Sequence, residues 1–474
     1  MGLAAITLGA ITNAQAETKR PNFIFYITDD ISFDDLSCYG NPFVKTPHLA
    51  RLAAEGLVFD NAYLSISSCS PSRCSFITGR YPHNHGAPEL HTELPTDQHA
   101  FPDALRQAGY YTALSGKNHI GDVKRAFDLI SPGKGPGKQE NWVEILQQRP
   151  KDKLFFFWFA STDAHRDWQI DDTAPVYDPD QIQTPPVLYD GPQTREDLAG
   201  YYHEISRADY YLGQLRRELE RQDIADNTVI VFCSDNGRPF PRCKTRLYDS
   251  GIKAPLIVWQ PGTIKPGRTG SLVSAIDVAP TVLELAEVAK DPRIQGVSFA
   301  AVLKDPKATV RQYAFAEHNW HVFQAHERMV RYQNWLYIRN AWPQRQSLCM
   351  ESNDTYPAGR ELWQQHELGQ LHPHQADVFR QPRPSEELYD VQADPHQFTN
   401  LAESTREYHR KAIAHLRQVL DRWIEQTGDT VPENPTGDRE SLSQQQDSRP
   451  RRGTLPGAER NAESINHPGP IRRE

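Results

Sequence analysis

Four stretches of near-continuous apolar residues mark the first half of the chain: 21–28, 110–115, 154–160 and 228–233; a fifth covers 254–259. Unbroken apolar runs of this length, without polar alternation, predict strands covered on both faces. Between them the spacing becomes helical. Leu49, Leu52 and Ala53 mark a helix over 49–56, and further helices are predicted near 100–108 and over 275–286. A long helix over 195–222 carries Leu198, Tyr201, Tyr202, Ile205, Ala208, Leu212, Leu215 and Leu219 as its apolar stripe. Strands alternating with helices predict a doubly wound α/β architecture.

From about residue 311 the texture changes. Residues 328–331 and 335–339 read as a hairpin across Tyr332, Gln333 and Asn334, and 387–390 as a short strand. A last amphipathic helix over 407–427 places Ile413, Leu416, Leu420, Trp423 and Ile424 on one face. A smaller α+β domain over 311–432 follows a larger α/β domain over 17–310, and the polar, Pro/Gly-rich tail 433–474 is expected to be extended or disordered. At the other end, an apolar run followed by Ala14-Gln15-Ala16 reads as a signal peptide over 1–16, so export to the periplasm or medium is expected. No later run is long enough to span a bilayer.

Composition narrows the function. With 474 residues, 38% of them apolar, the chain has material for a sizeable core. A net charge of −9 excludes a general nucleic-acid binder, which needs basic excess to neutralise phosphates. The six cysteines are sparse and contain no C-x-x-C pair, so neither a disulfide scaffold nor a thiolate zinc site is indicated.

The chemistry collects where the apolar runs stop. Four of them end in polar clusters: Asp29-Asp30, Lys117 with His119, Asp163 with His165, and Asp235-Asn236. Open α/β sheets place their sites beyond the carboxyl ends of strands, so four such clusters argue for one convergent site. Asp29, Asp30, Asp235 and Asn236 are hard oxygen donors, which favours Ca²⁺ or Mg²⁺ over Zn²⁺; irregular coordination from distant strands favours Ca²⁺. Arg73, Lys117, His119, His165, Arg166 and Lys244 supply cations for one tetrahedral anion. Cys69 stands at a helix start, with Ser70 as cap, Pro71 at the first helical position and Gly79 as stop; that position favours an anion and a thiol of low pKa.

The string Cys69-Ser70-Pro71-Ser72-Arg73 through Thr78-Gly79-Arg80 resembles the maturation signature of the type I sulfatases. Asp29-Asp30, Gly116-Lys117-Asn118-His119, Asp163-Ala164-His165 and Ser234-Asp235-Asn236-Gly237 also resemble that family, over most of 21–430. The resemblance implies an alkaline-phosphatase-like sandwich with a large, mostly parallel mixed sheet. It implies that a maturation enzyme oxidises Cys69 to formylglycine, whose hydrate attacks sulfur, and that Asp29, Asp30, Asp235 and Asn236 hold Ca²⁺. It gives Arg73 and Lys117 the task of holding the formylglycine, His119 that of taking a proton from its second hydroxyl, and His165 and Lys244 that of binding sulfate oxygens. Two positions depart from the family: Asn118 replaces an aromatic residue, and Asp249-Ser250-Gly251 replaces E-G-G after Lys244. Residues 163–166, 235–241 and 318–321 resemble the heparan N-sulfatase branch, which implies sugar contacts from Asp163 and Arg166, with His83, His85 and His318 as further candidates. The expected activity is sulfate hydrolysis on a sulfated carbohydrate. Sulfamidase action, a phosphatase or phosphonate hydrolase of the same superfamily, and a non-catalytic sulfoglycan-binding protein are the alternatives.

Overall fold

A computed structural model describes residues 20–439 and 452–473; the expected signal peptide lies outside the described residues. The large sheet has eight strands: β1 (Asn22–Thr28), β2 (Leu57–Tyr63), β3 (Tyr111–Gly116), β4 (Leu129–Ser131), β5 (Phe155–Ala160), β6 (Thr228–Ser234), β7 (Leu256–Trp259) and β8 (Gly267–Ser274). Their order is β4-β3-β5-β1-β6-β7-β2-β8. All run parallel except β7, which is antiparallel to both β6 and β2. The architecture is the alkaline-phosphatase-like one: a mixed, mostly parallel sheet between helical layers.

The apolar runs behave as their composition requires. In β1, Phe23, Phe25 and Ile27 enter the core on one face of the sheet and Ile24 and Tyr26 the core on the other. The long helix Pro192–Arg221 covers the second face, its Tyr201, Tyr202, Ile205 and Leu212 fully buried. The helix Cys69–Thr78 lies on the first face, with Phe76 against Phe25 at 5.3 Å between ring centres. Strands β2 and β8 escape the sequence pattern because polar residues interrupt them: Asp60 and Asn61 in one, Arg268 and Ser271 in the other.

A smaller antiparallel sheet follows, β9 (Tyr313–His318), β10 (Glu327–Tyr332), β11 (Trp335–Asn340) and β12 (Glu386–Asp390), in the order β12-β11-β10-β9. The helix Glu407–Thr427 packs Ile413, Leu416, Leu420 and Trp423 onto it. Glu317 of β9 donates its N–H to Ser65 O at 2.8 Å, which ties the two sheets together next to the Cys69 helix.

The tail, expected to be extended or disordered, packs against the body of the protein over its described residues. Residues 452–473 are extended apart from two single turns, but they dock on the body of the protein. The buried Arg80 guanidinium donates to Asn466 Oδ1 (2.9 Å), Glu463 O (2.8 Å) and Ile465 O (3.0 Å). Asn84 and Gln295 donate to Ala462 O and His467 O. Composition alone predicts no packing for such a segment, because most of its acceptors are backbone carbonyls that any sequence offers.

Candidate active site

Strands β3, β5, β1 and β6 are adjacent and parallel, so their carboxyl ends open on one edge of the sheet. Backbone hydrogen bonds continue past the strands and fix the clusters to one another. Lys117 N–H donates to Ala160 O (2.8 Å), Asp29 N–H to Asp163 O (2.8 Å) and Asp235 N–H to Thr28 O (3.2 Å). The chain then turns sharply: Asp30 and His119 sit in the left-handed region, at φ 59° and 49°. Gly116 is required before Lys117, since its φ is 102° and a Cβ there would lie 1.9 Å from Ala160 O.

The fifth contributor is the helix Cys69–Thr78. Its cap is Ser68 rather than Ser70, so Cys69 is the first helical residue and Pro71 the third; Gly79 terminates it at φ 65° as its sequence predicts. The expected acidic thiol is a correction. Cys69 is buried, and desolvation pushes the thiol up to about 12 despite Lys117 and Lys244 nearby. The helix dipole does not overcome the removal of water, so the unmodified thiol is a poor nucleophile here.

Around Cys69 stand three carboxylates and three cations, each paired. Arg73 Nε donates to Asp235 Oδ2 at 2.8 Å, Lys244 Nζ to Asp30 Oδ2 at 2.8 Å, and Lys117 Nζ to Asp29 Oδ2. Asn236 Nδ2 donates to Asp30 Oδ1. Burial raises Asp30 and Asp235 to about 6, with Lys244 and Arg73 respectively opposing it. Burial acts the same way on Asp29, but Lys117, His165 and Arg73 together hold it below the usual carboxylate range. These three pairs balance one another, and Glu351, 3.7 Å from Lys244 Nζ, adds a further carboxylate at the edge of the cluster. A divalent cation adds positive charge to this cluster, which a sulfate ester monoanion and ionisation of the attacking hydroxyl would offset.

The residues fit a hard cation. Asp29 Oδ1 and Asn236 Oδ1 are buried without a hydrogen-bond partner, although neither can be solvated there. Ligand atoms of Asp29, Asp235 and Cys69 all lie within 4.8 Å of one another. Oxygen donors of this kind suit Ca²⁺ or Mg²⁺.

A cavity of about 700 Å³ opens beside this cluster, lined by Asp29, Lys117, His119, Asp163, His165 and Arg166 among others. His165 is exposed on its wall, with Nδ1 2.5 Å from Arg166 O. Asp163 and Arg166 reach the cavity, but their charges are engaged elsewhere. Arg207 takes both carboxylate oxygens of Asp163, at 2.5–3.2 Å. Asp197 takes both ends of the Arg166 guanidinium (2.6 and 2.8 Å), which lies against the rings of Trp168, Phe240 and Tyr356. They shape the wall rather than offer free charge.

Three histidines need correction as sugar contacts. His83 is buried with Nδ1 2.6 Å from Glu317 Oε1. His85 is buried behind the Cys69 helix, with Nε2 near Ser75 Oγ and Pro71 O. His318 is buried with Nδ1 2.6 Å from Glu327 Oε2. Each is buried against a partner that topology supplies and is turned away from a sugar in the cavity. Conversely, residues that the sequence did not mark as site candidates reach the site: Glu351, 3.7 Å from Lys244 Nζ; His91, whose Nδ1 lies 2.8 Å from His119 Nε2; and His321, from the 318–321 stretch, 2.7 Å from Ser68 Oγ.

The sulfatase family profile matches residues 21–127 and 139–288. The chain belongs to the sulfatase family. It is a sulfuric ester hydrolase, and the profile of the N-sulphoglucosamine sulphohydrolase C-terminal region matches residues 243–343 of it. This sulfatase is 29% identical to an ulvan-active sulfatase of Formosa agariphila, over 88% of this chain and 77% of that one. It is 28% identical to the N-sulphoglucosamine sulphohydrolase of Homo sapiens, over 86% and 91%. Its fold superposes at a TM-score of 0.67 on a solved structure in complex with the substrate D-glucosamine-2-N,6-O-disulfate, at 22% identity, covering 86% of this chain and 98% of that one. Among the described residues no helix is long and apolar enough to cross a membrane.

Proposed function

We propose that this sulfatase removes sulfate groups from a sulfated carbohydrate, using Cys69 converted to formylglycine and a bound Ca²⁺. The observation that carries the reading is the buried, paired set of Asp29, Asp30, Asp235, Arg73, Lys117 and Lys244 around Cys69, with an orphaned carboxylate oxygen of Asp29 and an orphaned amide oxygen of Asn236. The high pKa of the thiol supports the conversion, because the unmodified residue has little nucleophilic form at neutral pH. The modification supplies a geminal diol, one hydroxyl for attack on sulfur and one for release. Asp29, Asp30, Asp235 and Asn236 would hold the ion, which supplies polarisation of the sulfate oxygens and of the attacking hydroxyl.

The remaining work falls to the side chains. Arg73 and Lys117 hold the modified residue in register with the sulfur. Lys244 and His165 take sulfate oxygens and stabilise charge on the leaving group. His119 accepts the proton of the second hydroxyl, so that the aldehyde re-forms and sulfate departs. The relatives' names, ulvan on one side and glucosamine sulfate on the other, support a glycan substrate. The match to the N-sulphoglucosamine sulphohydrolase C-terminal region favours a second reading, cleavage of N-linked sulfate. Export and encounter with a formylglycine-generating enzyme belong to the same proposal.

The test is sulfate release by protein made in a maturation-competent host, on defined O- and N-sulfated oligosaccharides, with the peptide across Cys69 weighed in parallel. Chelation should abolish turnover and Ca²⁺ restore it. An unmodified Cys69 in a fully active preparation refutes the formylglycine step, and activity indifferent to chelation refutes the metal.

A further inference from the structure

The sequence does not mark His91 as a site residue, yet it is built into the site. Its backbone N–H donates to the buried Ser70 Oγ at 2.8 Å, so it is pinned to the residue next to Cys69. It holds φ at +60°, and its partner His119 holds +49°. Two non-glycine residues in the left-handed region are each strained and persist only where the surroundings impose them. The outcome of that strain is one contact: His91 Nδ1 and His119 Nε2 lie 2.8 Å apart, ring centres at 4.9 Å.

Two facing imidazole nitrogens at this distance share one proton. The other nitrogen of His119, Nδ1, is buried with no hydrogen-bond partner. It is the lone pair left to receive a proton when Nε2–H donates to His91. Burial, reinforced by Lys117 and His91, lowers His119 to about 2, so a proton gained there is passed on readily. His91 is solvent-exposed and lines the cavity, whereas His119 is largely enclosed.

We propose that His91 is the proton exit of the site: the proton taken by His119 leaves through the His119 Nε2–His91 Nδ1 contact to solvent. This rests on the reading of His119 as the base. In the release step an O–H bond of the second hydroxyl breaks and its electrons form the aldehyde C=O. The C–O bond to the sulfate breaks, and sulfate leaves with that pair. The proton binds His119 Nδ1, the Nε2 proton moves to His91 Nδ1, and His91 Nε2–H is released to water. No other reactant is needed. His91 is a relay residue and need not touch the substrate.

The discriminating variants are His91→Asn and His91→Ala. Asparagine tolerates the left-handed backbone and its Oδ1 can accept from His119 Nε2, but it cannot pass a proton on. With an aryl sulfate and matured enzyme, kcat of H91N should fall about tenfold or more, with KM within about twofold. Millimolar imidazole should restore much of the loss in H91A and do nothing to wild type. H91N at wild-type kcat overturns the relay, and so does a loss in H91A that imidazole does not touch, since a structural role has no response to buffer. Wild-type enzyme that releases no sulfate from any ester overturns the underlying reading instead.

Discussion

Replacing Arg73 by methionine tests the charge balance of the site without requiring turnover or modification. Arg73 is fully buried. It donates to Asp235 Oδ2 at 2.8 Å and to Lys117 O at 3.2 Å, and lies 3.9 Å from Asp29 Oδ2. Methionine fills much of its volume but leaves three buried carboxylates facing two ammonium groups. Breaking a buried pair on one side costs about 3–5 kcal/mol. With about 2.1 cal/mol/K of melting entropy per residue over the chain, 1 kcal/mol corresponds to about 1 °C, so Tm should fall by about 3–5 °C in chelator. Calcium changes the sign of the comparison. A divalent ion beside Asp29 and Asp235 no longer meets the guanidinium charge, and one unit charge at about 4 Å is worth up to about 4 kcal/mol per ion charge in a protein-like dielectric. R73M should therefore bind Ca²⁺ more tightly than wild type, at least tenfold, and recover most of its lost Tm in millimolar Ca²⁺. Thermal melts in chelator and across a Ca²⁺ series, on the unmodified Cys69 form of both proteins, read this directly. An equal Tm deficit with and without Ca²⁺ would refute the account of Arg73 and the ion competing for the same carboxylates.

Three further outcomes follow from the geometry. Gly116→Ala should cost more than about 3 kcal/mol or fail to fold, because its Cβ would fall inside the Ala160 carbonyl; a soluble variant with unchanged Tm disproves the need for glycine there. Truncation before residue 452 removes three acceptors from the buried Arg80 guanidinium, so a loss of about 2–4 kcal/mol and faster proteolysis near the Cys69 helix are expected; melting unchanged by truncation would show the tail to be dispensable. Asp209 accepts N–H bonds from His48 (3.1 Å) and Leu49 (2.6 Å), and burial raises it to about 7. Its native form binds more protons than its unfolded form, so its contribution is present below pH 4 and lost as pH rises through 7. The Tm of Asp209→Asn relative to wild type should accordingly rise between pH 5 and pH 8, and a pH-independent difference refutes the linkage.

Local pattern was enough wherever one segment alone carries the cause. The runs that became β1, β3, β5 and β6 are apolar throughout because both faces are covered, and a parallel sheet then brings Asp29, Lys117, Asp163 and Asp235 to one edge whatever else the fold does. The Cys69 signature and the Gly79 stop are similarly local. What depends on distant partners was invisible. β2 and β8 pair with each other through the backbone while carrying polar side chains, so periodicity could not register them. The thiol of Cys69 is governed by desolvation, a property of everything packed around it, and not by the helix start that its neighbours spell out. Arg207 lies 44 residues beyond Asp163 and neutralises it, while Glu317, 234 residues beyond His83, withdraws that histidine from the cleft. Only the closed fold, by choosing which charges meet and which lose water, separated the residues that can act from those that merely hold.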